Sequence, residues 1–405
     1  MYTRNNLGDL MQQSSILTRN DMIQKRILLR TSFNVTIETD GEIKDITRLL
    51  ESIPFIIELA KKCKKLIILA HLGRPTKIDK TLSLLPIYKI LSDKLTSSDI
   101  RSKFIYDINE IEKTNEDVVL VENIRFFKGE ESNDENERLE LLNVLKNCAD
   151  LYVNDAFSDY RESCSTFYIT QHLKSYLGPN FIKEVNGFKP LADPKKPYIA
   201  LIGGSKLSEK IDILNELCNY TDKVLIGGAL AYTLLKARGY SIGKSLFEED
   251  KLRVATELVT KYSDKIVLPV DHLISTDFSE TSSYTSNYTE EVNIPNGKCA
   301  IDIGPKTIQI YKEIINEAKT ILINGPLGVF EWDRSIEGTK ILYETVLKNL
   351  NAYKIIGGGD SIGAINKLRL SGFDHISTGG GAMMNFISQK RFATLDCILD
   401  QFDSA

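Results

Sequence analysis

The stretch Lys354-Ile-Ile-Gly-Gly-Gly-Asp-Ser361 limits what this chain can fold into more than any other. Two β-branched apolar residues lead into three glycines, an acid and a hydroxyl, which predicts a buried strand that turns sharply into a helix. Glycines allow close approach of a ligand, and the free N–H groups of a helix start favour an anion. Asp360 could hold Mg²⁺ beside bound phosphates, or could simply cap the helix. Ile362 takes the place of a third glycine, so this is not a dinucleotide-binding fingerprint.

The same pattern recurs three times in the second half of the chain, at 201–206, 224–229 and 376–381. In each case an apolar run ends in two or three glycines. Parallel strands end at one edge of their sheet, so four such runs predict four glycine turns that converge on one phosphate-rich ligand.

The first half of the chain alternates apolar runs with amphipathic stretches. Runs at 26–30, 66–70, 118–121 and 151–153 predict strands, and 45–63 and 82–95 predict helices. This alternation indicates an α/β fold with a parallel sheet. The acidic stretch 129–140 predicts a solvated loop and the start of a helix.

Charged or polar residues follow each of these four strands. Arginines gathered at one sheet edge repel one another unless an anion binds there. Each arginine alone could be a surface ion-pair partner, but the set predicts an anionic substrate at the carboxyl edge of the sheet. The set consists of Arg30, Asn34, His71, Arg74, Arg125, Asn154, Asp155 and Arg161.

The length of 405 residues exceeds what one core usually supports, so we expect two domains. Prolines 190, 194 and 197 punctuate a helix-like segment, which places the junction there. We therefore predict a first domain at 1–182 and a second at 183–390 that begins with this helix. The second half also predicts strands at 265–270 and 321–326 and a polar hairpin or loop at 279–287.

Composition excludes several classes of protein. The net charge of −4 gives no basic field for nucleic acid, and no apolar run reaches the roughly 20 residues of a membrane helix. Six scattered cysteines and four histidines argue against a zinc site. Residues 1–24 resemble neither a secretory signal nor a transit peptide, so we expect a cytoplasmic protein with reduced thiols.

Lys206 and Lys210 follow a Gly-Gly turn and stand four residues apart, which predicts that they share one helix face. Two cations at a helix start fit phosphoryl chemistry, although two solvated lysines would show the same spacing. The stretch 239–245 has three residues between its glycines where a Walker A motif has four, so we interpret it as a loop.

The chain resembles the phosphoglycerate kinase family from about residue 26 to 390. No single motif carries the resemblance, but all of them stand in family order. They are Arg30-Thr-Ser-Phe-Asn-Val35, His71-Leu-Gly-Arg-Pro75, Glu122-Asn-Ile-Arg-Phe126, Asn154-Asp-Ala-Phe157, Gly203-Gly-Ser-Lys206, Asp302-Ile-Gly-Pro-Lys306, Asn324-Gly-Pro-Leu-Gly-Val-Phe-Glu331, Gly357-Gly-Gly-Asp-Ser361 and Ser377-Thr-Gly-Gly-Gly381.

The resemblance implies two Rossmann-like three-layer lobes with parallel sheets, joined by a hinge helix, with residues 391–405 returning to the first lobe. The first lobe would bind 3-phosphoglycerate or its 1,3-bisphosphate, through Ser32, Asn34, Arg48, His71, Arg74, Arg125 and Arg161. The second would bind ATP or ADP, through Gly203, Lys206, Lys210, Gly227, Asn324, Glu331, Gly357, Gly358, Gly359, Asp360 and Ser361. Asp360 would meet Mg²⁺, and no nucleic acid, membrane or partner subunit is implied.

The resemblance also implies how the reaction proceeds. Phosphoryl transfer needs in-line positioning and neutralisation of spreading negative charge, with no covalent enzyme intermediate. Arg48, Lys206 and the N–H groups around Gly380 would surround the group in transfer, after closure brings the two ligands together.

The chain departs from the family pattern mainly on the acid side. Ser32 stands where the family has aspartate, and Tyr160-Arg-Glu-Ser163, after an apparent one-residue deletion, stands where the family has His-Arg-x-His. We therefore keep an alternative, a nucleotide-binding homologue with a lost or altered acceptor. For a working enzyme, Ser32→Asp should raise kcat/KM up to about tenfold, unless Tyr160 or a shifted loop already supplies the contact.

Overall fold

The structure is a computed structural model that describes residues 17–33, 35, 43, 46–283, 285–388 and 392–403. The chain forms two compact units that divide between Asn186 and Gly187, and the C-terminal segment belongs to the first unit. The division falls inside one helix, Pro179–Ala192. Asp155 caps the start of this helix, because its Oδ1 accepts the Asn180 N–H at 2.7 Å.

The first unit is built on a six-stranded sheet in the order β3-β4-β2-β1-β5-β6, in which every pairing is parallel. Its strands are β1 (Arg26–Arg30), β2 (Lys65–Leu69), β3 (Ser102–Ile105), β4 (Val118–Val121), β5 (Leu151–Asn154) and β6 (Lys174–Leu177). Its helices are α1 (Arg19–Met22), α2 (Thr47–Ala60), α3 (Leu85–Thr96), α4 (Glu135–Cys148), α5 (Pro179–Ala192) and, at the C-terminus, α14 (Ala393–Asp403).

Side chains of the first sheet alternate between two hydrophobic cores, as the two-residue period of a strand requires. Ile27 and Leu29 pack with helices α2 and α3 on one face. Leu28 packs with helix α4 on the other face. Strands that are buried on both faces have continuous apolar runs in their sequences, and for this reason these strands were predictable.

The C-terminal helix α14 packs against the last strand of the first sheet. Gln401 accepts the Ser175 N–H through its Oε1 at 2.9 Å and donates through its Nε2 to the Leu173 carbonyl at 3.3 Å. Phe392, just before the helix, stacks on Phe157 with ring centroids 5.1 Å apart.

The second unit is built on another six-stranded parallel sheet, in the order β15-β14-β13-β7-β8-β9. Its strands are β7 (Tyr198–Ile202), β8 (Lys223–Ile226), β9 (Ile266–Val267), β13 (Thr320–Asn324), β14 (Tyr353–Gly357) and β15 (His375–Ser377). Its helices are α6 (Ile211–Tyr220), α7 (Leu230–Ala237), α8 (Leu252–Lys261), α9 (Glu280–Ser283), α10 (Pro305–Glu317), α11 (Glu337–Lys348), α12 (Gly359–Leu368) and α13 (Gly380–Ile387). Two parallel sheets with surrounding helices confirm the predicted α/β class.

A three-stranded antiparallel sheet was not predicted. It has the order β11-β10-β12, formed by β10 (His272–Ser275), β11 (Asn287–Tyr288) and β12 (Cys299–Ile303). The predicted strand at 265–270 is only two residues long, and 279–287 contains the short helix α9 before it reaches β11. No helix in the described part of the chain is long and apolar enough to span a bilayer.

Candidate functional site

Four glycine turns leave the carboxyl ends of neighbouring strands in the second sheet. They follow β7, β8, β13 and β14, and each contains a glycine with positive φ that other residues rarely adopt. These glycines are Gly204 (φ 124°), Gly228 (68°), Gly325 (99°) and Gly358 (100°). The turn after β15 joins them, since a Cβ on Gly380 would lie 3.4 Å from the Gly358 Cα. The predicted convergence of the glycine turns is therefore present.

The candidate glycines differ in how much space a side chain would have at each position. A Cβ on Gly203 would lie 1.9 Å from the Pro326 carbonyl oxygen, and one on Gly227 would lie 2.5 Å from Leu327 Cδ2, so both are required by packing of the turns. A Cβ on Gly357 would meet Met383 Sδ at 2.4 Å. Gly359, the first residue of α12, has no neighbouring atom within 4 Å of such a Cβ, so its surroundings are open.

Asn324 and Ser361 hold the turns together. The Asn324 side-chain amide donates to the Gly357 carbonyl at 2.9 Å, which joins the ends of β13 and β14. The Ser361 hydroxyl accepts the Gly325 N–H at 2.7 Å. Both sequence-predicted residues lie at the site, but these groups are engaged with the protein backbone.

Lys206 and Lys210 do not share a helix face, and that prediction was wrong. Helix α6 begins only at Ile211. Residues 203–210 form a loop, in which the Ser208 N–H and hydroxyl both donate to the carboxylate of Glu248. Lys206 points outward, with 62% of its side chain exposed and Glu209 at 3.8 Å. Lys210 turns inward and donates to the Asn324 carbonyl at 2.9 Å.

A cavity of about 520 Å³ opens beside these turns, within the second unit. One wall is apolar and includes Ala229, Leu246, Phe278, Ile301, Val329 and Trp332. Leu246 and Phe278 are more than half exposed, so a flat ligand could cover them. Phe278 and Trp332 lie with ring centroids 4.8 Å apart. Polar residues of the lining include Ser205, Glu331 and Asp360. An apolar slot with a few polar groups suits a planar ring attached to a polar chain.

Asp360 lies in the first turn of α12 and lines the cavity. Within the described residues, no three His, Cys, Asp or Glu side chains cluster closely enough to hold a metal ion. A single carboxylate facing a phosphate site nevertheless suits Mg²⁺, which commonly takes one or two carboxylates, phosphate oxygens and water.

In the first unit, Arg30, His71 and Asp159 meet at the carboxyl edge of the sheet. Asp159 Oδ2 lies 3.0 Å from Arg30 Nη2 and 3.1 Å from His71 Nδ1, and all three side chains are at most 7% exposed. Burial opposes ionisation of Asp159, but His71 and Arg30 outweigh it and hold the pKa of Asp159 below its usual range. Burial also lowers the pKa of His71.

The other residues predicted to bind the acid lie in the same unit and differ in burial and in their contacts. Arg125 is mostly buried, donates to the Gly73 carbonyl at 2.6 Å and pairs with Glu131 at 2.8 Å. Arg74 and Arg161 are exposed, and Arg48 is partly buried in α2. Asn34 lies outside the described residues.

Ser32 contacts the loop that follows β5. Its hydroxyl lies 2.9 Å from the hydroxyl of Ser158. Ser158 therefore links Ser32 to this loop, in which the Tyr160 ring lies 6.3 Å from that of Phe392.

Sequence reasoning missed Asp159 and Glu130. Glu130 is buried, and its carboxylate accepts the hydroxyls of Ser163 and Ser165, each at 2.7 Å. Burial raises the pKa of Glu130, while Arg30 and the serines oppose that rise. For Glu130, the prediction of a solvated acidic loop was wrong. The signal that could have found Asp159 is its place in a loop that follows a strand.

Comparison with known proteins identifies the family. The family model described as phosphoglycerate kinase matches residues 17–390. A phosphoglycerate kinase from Borrelia garinii subsp. bavariensis is 38% identical over 388 residues, which cover 92% of this chain and 95% of the relative. One from Prochlorococcus marinus is 39% identical, covering 93% and 96%. The chain belongs to the phosphoglycerate kinase family.

Solved structures of phosphoglycerate kinases have the same fold. The enzyme from Coxiella burnetii superposes with a TM-score of 0.80 at 33% identity, covering 94% of this chain and 97% of that one. The enzyme from Pyrococcus horikoshii OT3 gives 0.78 at 26% identity, covering 95% and 98%. Family membership therefore extends across both units.

Proposed function

We propose that this chain catalyses the reversible transfer of a phosphoryl group between 1,3-bisphosphoglycerate and ADP, which gives 3-phosphoglycerate and ATP. One observation carries the proposal: in a chain of this family, glycine turns and Asp360 line a cavity whose remaining lining is mostly apolar, and Lys210 is held beside those turns at the end of β13. The acceptor is then a carboxyl group, and the enzyme is a phosphotransferase.

The nucleotide would bind in the second unit. Its base fits the apolar wall near Leu246 and Phe278, and Glu331 would accept hydrogen bonds from ribose hydroxyls. The phosphates would lie at the open start of α12, where backbone N–H groups favour anions. Asp360 would hold Mg²⁺, which would neutralise phosphate charge. Lys210 and the Asn324 turn would border the phosphates, and Lys206 would reach the group in transfer.

The acid would bind in the first unit, at the edge where β1, β2 and β5 end. His71, Arg74, Arg125 and Arg161 supply cationic or hydrogen-bonding groups there, and Arg forks suit carboxylates and phosphates. Ser32, Asn34 and Arg48 complete the proposed set. The acid substrate carries several negative charges, and a cluster of this composition would offset them.

The reaction does not require a protein side chain to act as a general base. In the direction of ATP use, a carboxylate oxygen of 3-phosphoglycerate attacks the γ-phosphorus. The bond from that phosphorus to the bridging oxygen breaks, and the bridging oxygen leaves as part of ADP. The carboxylate is already ionised at neutral pH, so no group has to remove a proton. The contributions of Arg48, Lys206 and the Gly380 N–H group are then positioning and charge neutralisation.

We further infer a monomer that works in the cytoplasm. Four of the free thiols, Cys148, Cys164, Cys218 and Cys299, are buried, which fits a reducing compartment. The native mass measured by light scattering and the location of the tagged protein in cell fractions test these two points.

A coupled assay with 3-phosphoglycerate and MgATP tests the main proposal. We expect turnover that depends on both substrates and on Mg²⁺. Binding of MgADP by calorimetry without any turnover of 3-phosphoglycerate would overturn it, and would favour a homologue with an altered acceptor.

A further inference from the structure

Arg30 directs its whole guanidinium group into the protein. Its Nε donates to the Ser165 hydroxyl at 3.0 Å, and its Nη1 donates to the Thr31 carbonyl at 2.7 Å. Its Nη2 lies 3.0 Å from His71 Nδ1. Arg30 is 1% exposed. A buried guanidinium whose three nitrogens all contact the protein holds the neighbouring side chains in place and is not itself available to a ligand.

Two contacts of Nδ1, with Arg30 and with Asp159, compete to set which ring nitrogen of His71 carries the proton. Arginine can only donate, so in the ring form that receives the Nη2–H of Arg30, Nδ1 is the acceptor. Asp159 Oδ2 lies 3.1 Å from the same nitrogen and would accept a hydrogen bond from it in the other ring form, a contact that also lowers the pKa of Asp159. A neutral ring with Nδ1 unprotonated carries its proton on Nε2. His71 can then donate from Nε2 to an anion.

Asp159 balances the charge that makes this arrangement possible. Arg30 lies between two buried carboxyl groups, because Ser165 connects it to Glu130 and Asp159 lies on its other side. Asp159 comes from the loop after β5, whereas Arg30 ends β1 and His71 follows β2. The hydrogen bond between Ser32 and Ser158 attaches that loop to the end of β1, one residue before Asp159.

We propose that Asp159 is a positioning residue of the acid-binding site. It holds the Arg30 guanidinium against Nδ1 of His71, so that the Nε2–H of His71 faces the anionic substrate. The residue acts through Arg30 and His71 and does not itself contact the acid. This inference rests on the proposed function, because it assumes that His71 binds the acid.

Nitrogen NMR of the histidine rings tests which ring nitrogen of His71 is protonated, and it does not depend on enzyme activity. The chain has four histidines, and His71→Gln identifies the signals of His71 in ¹⁵N-labelled protein. We expect the wild-type ring to show an unprotonated Nδ1 and a protonated Nε2, and Asp159→Asn to change that pattern. A wild-type proton on Nδ1, or an unaltered pattern in folded Asp159→Asn, overturns the proposal.

Steady-state kinetics test its consequence. Asp159→Asn should lower kcat/KM for 3-phosphoglycerate about tenfold, the size of one hydrogen bond to a charged group, and should leave KM for ATP unchanged. Glu140→Gln removes an equal charge from the exposed face of α4 and should change neither value. Equal kcat/KM values for the acid in Asp159→Asn and Glu140→Gln contradict the proposal.

Moving the carboxylate from position 159 to position 32 distinguishes a positioning role of Asp159 from a general loss of structure. Ser32→Asp alone should lower kcat/KM for the acid, because the new carboxylate would lie beside Ser158, one residue from the Asp159 carboxylate that it would repel, which reverses the expectation from the sequence. In the Asp159→Asn background the same substitution should restore activity at least threefold. An increase in the wild-type background, or no recovery in the double variant, overturns the proposal. If wild type shows no turnover, the proposed function fails, while the NMR experiment still decides the role of Asp159.

Discussion

The Nζ of Lys210 lies 2.9 Å from the carbonyl oxygen of Asn324, at the point where β13 gives way to its glycine turn. The ammonium group is held among backbone groups at the edge of the proposed phosphate site. Burial lowers the pKa of Lys210 to about 8, although Asp360 and Glu209 favour the charged form. The lysine therefore loses its proton within an accessible pH range.

This pKa predicts that nucleotide affinity falls as pH rises. Bound phosphates favour the charged form of Lys210, so ADP binding above pH 8 requires uptake of a proton. We expect the Kd for ADP at constant Mg²⁺ to rise about tenfold between pH 7 and pH 9, as linkage requires for one group of pKa about 8. Calorimetry at pH 7, 8 and 9 measures this. Lys210→Arg stays protonated and should flatten the dependence, and equal wild-type affinity at pH 7 and 9 would exclude the linkage.

Gly359 offers a test of where the phosphates lie. Its surroundings are open, so Gly359→Ala should leave the unfolding temperature nearly unchanged while the added methyl obstructs the approach of a phosphate. We expect ADP affinity to fall about tenfold, the size of one lost hydrogen bond to a charged group. Differential scanning calorimetry and titration calorimetry measure the two effects.

Gly203→Ala is the matched control for Gly359→Ala. Its Cβ would lie 1.9 Å from the Pro326 carbonyl oxygen, so the variant should lose about 1–3 kcal/mol of stability through overpacking. Should Gly359→Ala bind ADP as well as wild type does, the phosphates do not lie at the start of α12.

The main strands of both sheets were predictable because their signals are local. β4 at Val118–Val121 and β14 at Tyr353–Gly357 are continuous apolar runs that end in polar or glycine-rich turns. The edge strand β3 (Ser102–Ile105) was missed, since only one of its four residues is buried and its sequence has no apolar run. β10 and β12 were missed because their antiparallel pairing joins segments far apart in the chain.

The candidate site was predictable to the extent that single motifs carry it. The glycine turns and Asp360 are local features, and the structure brings them together. The inward turn of Lys210 ends on the carbonyl of Asn324, 114 residues away, which spacing between two lysines cannot reveal. The contact of Asp159 with Arg30 and His71 depends on the neighbouring positions of three strands, so no short motif marks it.

Glu331 should act on nucleotide binding alone. Its carboxylate lines the cavity and is exposed, so Glu331→Ala should cost about 1.5 kcal/mol of ADP binding, the lower end for a hydrogen bond to a charged group, or about tenfold in Kd. Asp333→Ala is the control, because Asp333 stands in the same loop and pairs with Lys367 at 2.9 Å. Titration calorimetry with ADP and KM for 3-phosphoglycerate separate the outcomes, and unaltered ADP binding would remove Glu331 from the site.

Lys206→Ala should lower kcat far more than it weakens nucleotide binding. The lysine is mostly exposed and its nearest acidic partner, Glu209, is 3.8 Å away, so its charge is free to follow a phosphoryl group that develops negative charge during transfer. Loss of one preorganised charge of this kind costs about 10²- to 10³-fold in kcat, whereas a contact made only in the transition state contributes little to ground-state affinity. Steady-state kinetics should therefore show a large fall in kcat, and calorimetry should show a change of less than about threefold in Kd for ADP. Lys348→Ala removes an exposed lysine from the end of α11 and should match wild type in both measurements. An unchanged kcat with a raised KM for ATP would instead make Lys206 a ground-state ligand of the nucleotide.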